Sequence, residues 1–182
     1  SLPATPRKPI TLTDPPSLDT IPHLCFLSLQ EALMNDPTHA ALLQACIETA
    51  LAPDGLVVAT LLAAWPHTLA VYAFGSRVQG TARAESDLDL AVLVAGYTDA
   101  VARWDVAQQL AAALGCEVDL LDMRAASTVM QYQVLITGRC LWAKQPEAAL
   151  FECFVLNEKL DFDAARAPLL ADIAERGSVY AR

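Results

Sequence analysis

Positive charge is scarce in this chain, and so are the residues that build metal knots or membrane spans. Its 182 residues carry 12 Lys and Arg against 21 Asp and Glu, a formal charge of −9. Phosphate backbones repel such a surface, so direct nucleic-acid binding through broad electrostatics is not expected. The five cysteines, Cys25, Cys46, Cys116, Cys140 and Cys153, form an odd set with no Cys-x-x-Cys spacing. With only three scattered histidines, no zinc site is expected, and buried, reduced thiols are. The most apolar stretch, Leu56 to Trp65, falls short of the roughly 20 residues that cross a bilayer. No basic-then-apolar leader opens the sequence, so the expectation is a soluble, cytoplasmic protein without a membrane partner. No Gly-Lys-Ser/Thr follows a glycine-rich run, which removes the Walker A type of phosphate loop.

What is present divides into four parts. Residues 1–22 hold six of the eleven prolines and read as an irregular arm. Residues 23–66 read as a helical segment. In it, Ser28-x-x-Glu31 forms a capping box for a short helix ending near Asn35, and Asp36-Pro37 starts another helix to Leu51. Leu42, Leu43, Cys46, Ile47 and Ala50 share one face of that second helix. A third helix is expected from Gly55 to Ala64, stopped by Pro66. Residues 67–145 alternate as a core, with strands at Leu69–Phe74, Leu88–Val94, Glu117–Leu121 and Cys140–Trp142. Helices at Thr98–Leu114, ended by Gly115, and Ser127–Thr137, ended by Gly138, lie between them. Residues 146–182 read as C-terminal helices interrupted near Pro168. The class is α/β (α+β), a small mixed β-sheet flanked by helices. Trp65, Trp104 and Trp142 sit in apolar patterns and read as core or interface residues.

The chemistry concentrates in Gly75-Ser-Arg-Val-Gln-Gly-Thr-Ala-Arg-Ala-Glu-Ser-Asp-Leu-Asp89. Gly75 follows a strand end, where a residue without Cβ permits a sharp turn and close approach to a ligand. Ser76 offers a hydroxyl and an N–H to phosphate oxygens. Arg77 and Arg83 either contact phosphate or lie on the surface. Asp87 and Asp89, two apart, project to one side of the next strand while Leu88, Leu90 and Val92 point to the core. Carboxylates held side by side repel unless a cation intervenes, and hard oxygen donors suit Mg²⁺ or Mn²⁺. Asp119, in Glu117-Val-Asp-Leu-Leu-Asp122, lies on a later strand that would bring it toward the first two. A solvated acid on an edge strand is the other reading of Asp119. His67 and Asp105 form no Ser-His-Asp arrangement that the sequence can place.

Together Gly75-Ser76, the ten-residue gap, Asp87-Leu-Asp89 and the later Asp119 resemble the polymerase-beta-type nucleotidyltransferase superfamily. Within it they resemble the minimal nucleotidyltransferase domains encoded beside HEPN-domain toxins. That resemblance covers roughly residues 69–142 and extends in general character to the helices through Phe162 and Glu175-Arg176-Gly177 to Tyr180. It implies a polymerase-beta-like fold in which Gly75, Ser76 and Arg77 hold the triphosphate of ATP. It also implies that Asp87, Asp89 and Asp119 are catalytic and hold two Mg²⁺, with Mn²⁺ as a substitute. It further implies transfer of AMP to a tyrosine of a HEPN ribonuclease toxin, with which the chain would form a hetero-oligomer as its antitoxin. The Arg-x4-His signature of such toxins is missing here, since no histidine follows an arginine by five positions. One departure is the 68 residues before Leu69, which either add a partner-binding surface or cover the site and change the acceptor. Two other functions remain open: a non-catalytic antitoxin that neutralises by binding, and an aminoglycoside-type transferase acting on a small molecule.

Overall fold

The fold is that of a computed structural model, described for residues 37–83 and 85–177. The proline-rich arm, the Ser28 capping box, the Asp36 cap and Tyr180 lie outside the described residues. In chain order the elements are α1 (Pro37–Ala50), α2 (Leu56–Ala64), β1 (Thr68–Phe74), α3 (Gly75–Gln79) and β2 (Leu88–Val94). They continue with α4 (Ala100–Leu114), β3 (Val118–Asp122), α5 (Thr128–Thr137), β4 (Arg139–Ala143) and α6 (Glu147–Arg176).

β1 reads Thr-Leu-Ala-Val-Tyr-Ala-Phe and is buried at every position but the last. An unbroken apolar run of this kind belongs to a strand covered on both faces, and β1 is such a strand. The sheet order is β3-β2-β1-β4. β1 runs antiparallel to β2 and β4, whereas β2 and β3 are parallel and joined by the crossover helix α4. Asp99 caps α4 by accepting from the N–H groups of Val101 and Ala102 at 3.0 and 2.9 Å. The sheet is mixed, as the sequence pattern required.

Strand alternation sorts the side chains into two cores. On one face Val71, Ala73, Leu88, Leu90 and Val92 pack with Ile47, Val57, Leu61, Leu110 and other residues of α1, α2 and α4. On the other, Ala70, Tyr72, Ala91 and Leu93 pack with Met123, Val134, Ala148, Phe151 and Val155. We call these the covered face and the site face. The helices that precede β1 therefore lie behind the sheet, sharing its larger core.

Several expectations need correction. Leu42 is 66% exposed and Cys46 is exposed as well, so the packed stripe of α1 narrows to Leu43, Ile47 and Ala50. Cys140 and Cys153 are also exposed and Cys116 is half-buried; these thiols are free but not buried, and Cys25 lies outside the described residues. Trp65 and Trp142 pack against the covered-face core, whereas Trp104 is 62% exposed. α6 is not interrupted at Pro168 but passes through it. The bond that proline forfeits is to the carbonyl of residue 164, which is exposed, so water can satisfy that oxygen. Among the described residues no helix is long and apolar enough to cross a membrane.

Candidate active site

Register brings the acidic residues together. Phe74, the last residue of β1, pairs with Asp89 on β2, and Asp89 pairs in turn with Asp119 on β3. Asp89 alternates with Leu88 and Leu90 and so projects from the site face, in line with Ala91 and Leu93. Asp119 shares that face with Leu121, and Asp87 precedes Asp89 by two. Asp87 and Asp119 are exposed, while Asp89 between them is half-buried. Burial pushes the Asp89 carboxyl above the usual carboxylate range, and the charges of Asp119 and Asp87 push it further. All three predicted carboxylates thus lie at one corner of the sheet, with Asp119 an exposed acid on the edge strand β3 beside Asp89.

Gly75 is the residue that closes this corner. Its φ is +74°, and a Cβ built on it would lie 1.9 Å from Oδ2 of Asp89 and 2.7 Å from Cγ. Only glycine lets the turn after β1 rest directly on that carboxylate. Ser76 follows at the start of the short helix α3. The helix ends at Gly80 (φ 73°), whose N–H donates to the Ser76 carbonyl, as does that of Thr81 at 3.0 Å.

Arg77 is not a surface arginine. It is 4% exposed, and its Nε donates to the carbonyl of Ser86 at 2.8 Å. The Ser86 hydroxyl accepts from the N–H of Arg83 at 2.8 Å, and the N–H of Ser86 donates back to the Arg83 carbonyl at 3.1 Å. Arg77 therefore ties the Gly75-Ser76 helix to the residue that immediately precedes Asp87. Sequence reading missed this strut and the part played by Ser86; the only signal was a serine adjoining the acidic pair. Arg83 itself is exposed. A cleft of about 480 Å³ opens on the other side of this loop, with Arg77, Glu85, Ser86, Cys116 and Glu117 in its wall.

The neighbouring acids divide by role. Asp122 is 1% exposed and accepts from the N–H and hydroxyl of Thr98 at 2.7 and 2.9 Å and from the N–H of Arg124 at 2.9 Å. It holds a loop at the opposite end of the sheet from Asp89. Glu117 is exposed, and its carbonyl anchors the N–H of Leu88 at 2.8 Å. On the site face the Tyr72 hydroxyl donates to Glu152 Oε1 at 2.8 Å, fixing α6 to β1. Burial first, then Glu152, drives the Tyr72 phenol well above its ordinary pKa, so it stays protonated as a donor.

The donor set suits hard divalent cations: mutually repelling carboxylate oxygens, one half-buried, with a glycine backbone against it. Among the described residues no three His, Cys, Asp or Glu close around a single point. Magnesium sites commonly use one or two carboxylates with phosphate and water completing the shell, which an open corner of this kind allows.

Comparison with known proteins bears directly on this corner. Residues 58–147 match the family described as polymerase beta, nucleotidyltransferase. The chain is 42% identical over 108 residues to the protein adenylyltransferase MntA of Shewanella oneidensis MR-1, covering 59% of this chain and 78% of that protein. A solved toxin-antitoxin structure with AMP-PNP superposes with a TM-score of 0.60 at 39% identity, over 65% of this chain and 95% of the matched one. A second, of a tri-AMPylated HEPN toxin of Shewanella oneidensis in complex with MNT antitoxin, gives 0.56 at 35% identity, over 65% and 93%.

Proposed function

This chain belongs to the polymerase beta nucleotidyltransferase family, and from that premise we propose that it transfers AMP from ATP to a tyrosine of a HEPN-type toxin, acting as its antitoxin. The observation that carries this reading is the Asp89 corner: one carboxylate under the Gly75 backbone, with Asp119 beside it and Asp87 two residues before it. The similarity to a protein adenylyltransferase, and to an antitoxin solved with a tri-AMPylated HEPN toxin, supports a protein hydroxyl as the acceptor.

In this reading the triphosphate lies along the turn at Gly75 and Ser76, beside the Asp89 carboxylate that the missing Cβ lets the turn rest on. Arg77 acts from behind, holding the turn and the Ser86-Asp87 segment at a fixed separation. The acceptor oxygen attacks the α-phosphorus in line. A new O–P bond forms, the bond between the α-phosphorus and the bridging oxygen breaks, and pyrophosphate leaves with the electron pair. Asp119, exposed at the edge of the group, would receive the hydroxyl proton in this reading. Asp87, Asp89 and Asp119 would hold two Mg²⁺ ions, which when bound neutralise the phosphates and acidify the attacking hydroxyl.

The test is intact-protein mass spectrometry of the protein encoded beside this chain, after incubation with the chain, ATP and Mg²⁺. A mass gain of one or more AMP units, absent with Asp87→Asn, is the expected result. A stable complex that blocks the neighbour's ribonuclease activity with no mass gain would replace transfer with neutralisation by binding alone.

A further inference from the structure

The long helix α6 changes its surroundings halfway along. Its first half lies along β1 on the site face. Lys144, just before it, bonds Leu69; Glu152 meets Tyr72; and Leu156 lines a cavity with Gly138 and Cys140. A Cβ built on Gly138 would lie 3.2 Å from the Cβ of Phe74, the residue before Gly75. The helix thus climbs β1 from its start toward the end that carries the site, and reaches that level near Leu156. Residues 160–171 are all exposed. From residue 160 to its end at 176 the helix runs on for roughly 25 Å past the edge of the sheet where Asp89 sits.

The free half keeps the apolar stripe of the buried half. Ala148, Phe151 and Val155 face the sheet, and steps of three, four and seven extend that line to Phe162, Leu169 and Ile173. Phe162 is 37% and Leu169 54% exposed, with no sheet beneath them. The stripe therefore faces the side of the sheet from which the carboxylates project. Its charged border is acidic on one side: Glu158 and Asp161 have no ion pair among the described residues. Of the cations between residues 158 and 175, Lys159 is engaged with Asp163 and the Tyr132 ring, and Arg166 lies over the Phe162 ring.

We infer that the overhanging half of α6 is the docking rail for the protein acceptor, seating an apolar groove with a basic border on Phe162, Leu169 and Ile173. This rests on the adenylyltransferase reading above and adds where the acceptor is held. An acceptor gripped there lies beyond the sheet edge, on the side of Asp87, Asp89 and Asp119, with its hydroxyl brought to the open corner. The acidic border and the overall charge of −9 select a basic partner surface and speed encounter.

The test uses the full chain and a HEPN-domain protein that it AMPylates or binds. Phe162→Glu with Leu169→Glu should weaken binding of that protein by tenfold or more and raise its KM for transfer by a similar factor. Affinity for Mg-AMP-PNP and far-UV circular dichroism should stay unchanged. Leu160→Glu, two residues from Phe162 and so on the opposite side of the helix, should bind as wild type; a loss equal to that of the double variant would overturn the proposal in favour of general damage to the helix. Unchanged binding and KM in the double variant would also overturn it, while leaving AMP transfer standing. A wild type that binds through the stripe but transfers no AMP keeps the rail and removes the transfer reading. A wild type that forms no complex overturns the rail, as does a wild-type dimer that the double variant makes monomeric, since the stripe would then join two copies of this chain.

Discussion

The two faces of the sheet are built on opposite rules. The covered face is sealed by α1, α2 and α4, and its strand positions Val71, Leu88, Leu90 and Val92 are fully buried aliphatics. The site face begins the same way with Tyr72, Ala91 and Leu93 under α5 and α6, then ends in Asp89 and Asp119 at an open corner. One face maximises contact, and the other gives it up where charge has to be concentrated. Catalytic corners are places where electrostatic strain is accepted in return for chemistry, with the rest of the fold supplying the stability. Here the N-terminal helices supply it: they add to the core behind the sheet and leave the carboxylates open.

The sharpest way to break this division is to act on each face separately. Asp89→Asn keeps the side-chain volume and removes one ligand charge, so AMP transfer should fall by about 10³-fold or more in single-turnover assays. Gly75→Ala comes next. A methyl group at φ +74°, aimed at the Asp89 carboxylate, must move the turn or the acid, with an expected loss of about 10²-fold in kcat. On the covered face Leu61→Ala should do the reverse. It empties a fully buried leucine site, costing about 2–5 kcal/mol in denaturant unfolding, while kcat per folded molecule stays within about twofold. A Leu61→Ala variant that is as stable as wild type but slow in transfer would dissolve the distinction between the faces.

Between the two faces stands Arg77, whose buried guanidinium serves the site from inside the fold. Arg77→Met should leave the Ser86 carbonyl without its partner at a stability loss of about 1–3 kcal/mol. It should also lower kcat by about tenfold, because the Asp87 segment loses its brace. Recovery of the wild-type rate by Arg77→Lys would show that the positive charge matters more than the fork that reaches Ser86.

How far the sequence foretold these arrangements depends on the range of the interaction. β2 was legible to the residue because Asp-Leu-Asp-Leu alternates in polarity with the period of a strand and both its neighbours are apolar. The same pattern placed Asp87 and Asp89 side by side, and the short parallel crossover carried Asp119 to them. The burial of Arg77 was not legible, since it depends on the loop of residues 80–87 folding back so that Ser86 meets α3. Nor was the side of the sheet taken by α1 and α2, because an apolar stripe fits either face equally well. Cys46 shows the opposite error: hydrophobic character alone put it inside, and helix phase put it outside. Continuity of α6 through Pro168 was hidden for another reason. The proline rule describes helix interiors whose carbonyls must be satisfied by the helix, and this one is exposed.

The smallest expected effect tests the comparison from the side of stability. The Asp89 carboxyl holds its proton more tightly in the folded chain than when unfolded, because burial and two neighbouring acids oppose its charge. Its contribution is therefore full below the ordinary carboxylate range and is lost as pH rises through the raised pKa. At neutral pH and without divalent cations the wild type carries that strain, and Asp89→Asn does not. The variant that loses transfer should then melt higher than wild type by roughly 1–4 °C in chelator, with the gap closing toward acid pH. Adding Mg²⁺ with AMP-PNP should raise the wild-type midpoint and largely spare the variant, reversing their order. Equal melting temperatures in chelator at neutral pH would mean that the open corner carries no electrostatic strain, and that the two faces differ in exposure alone.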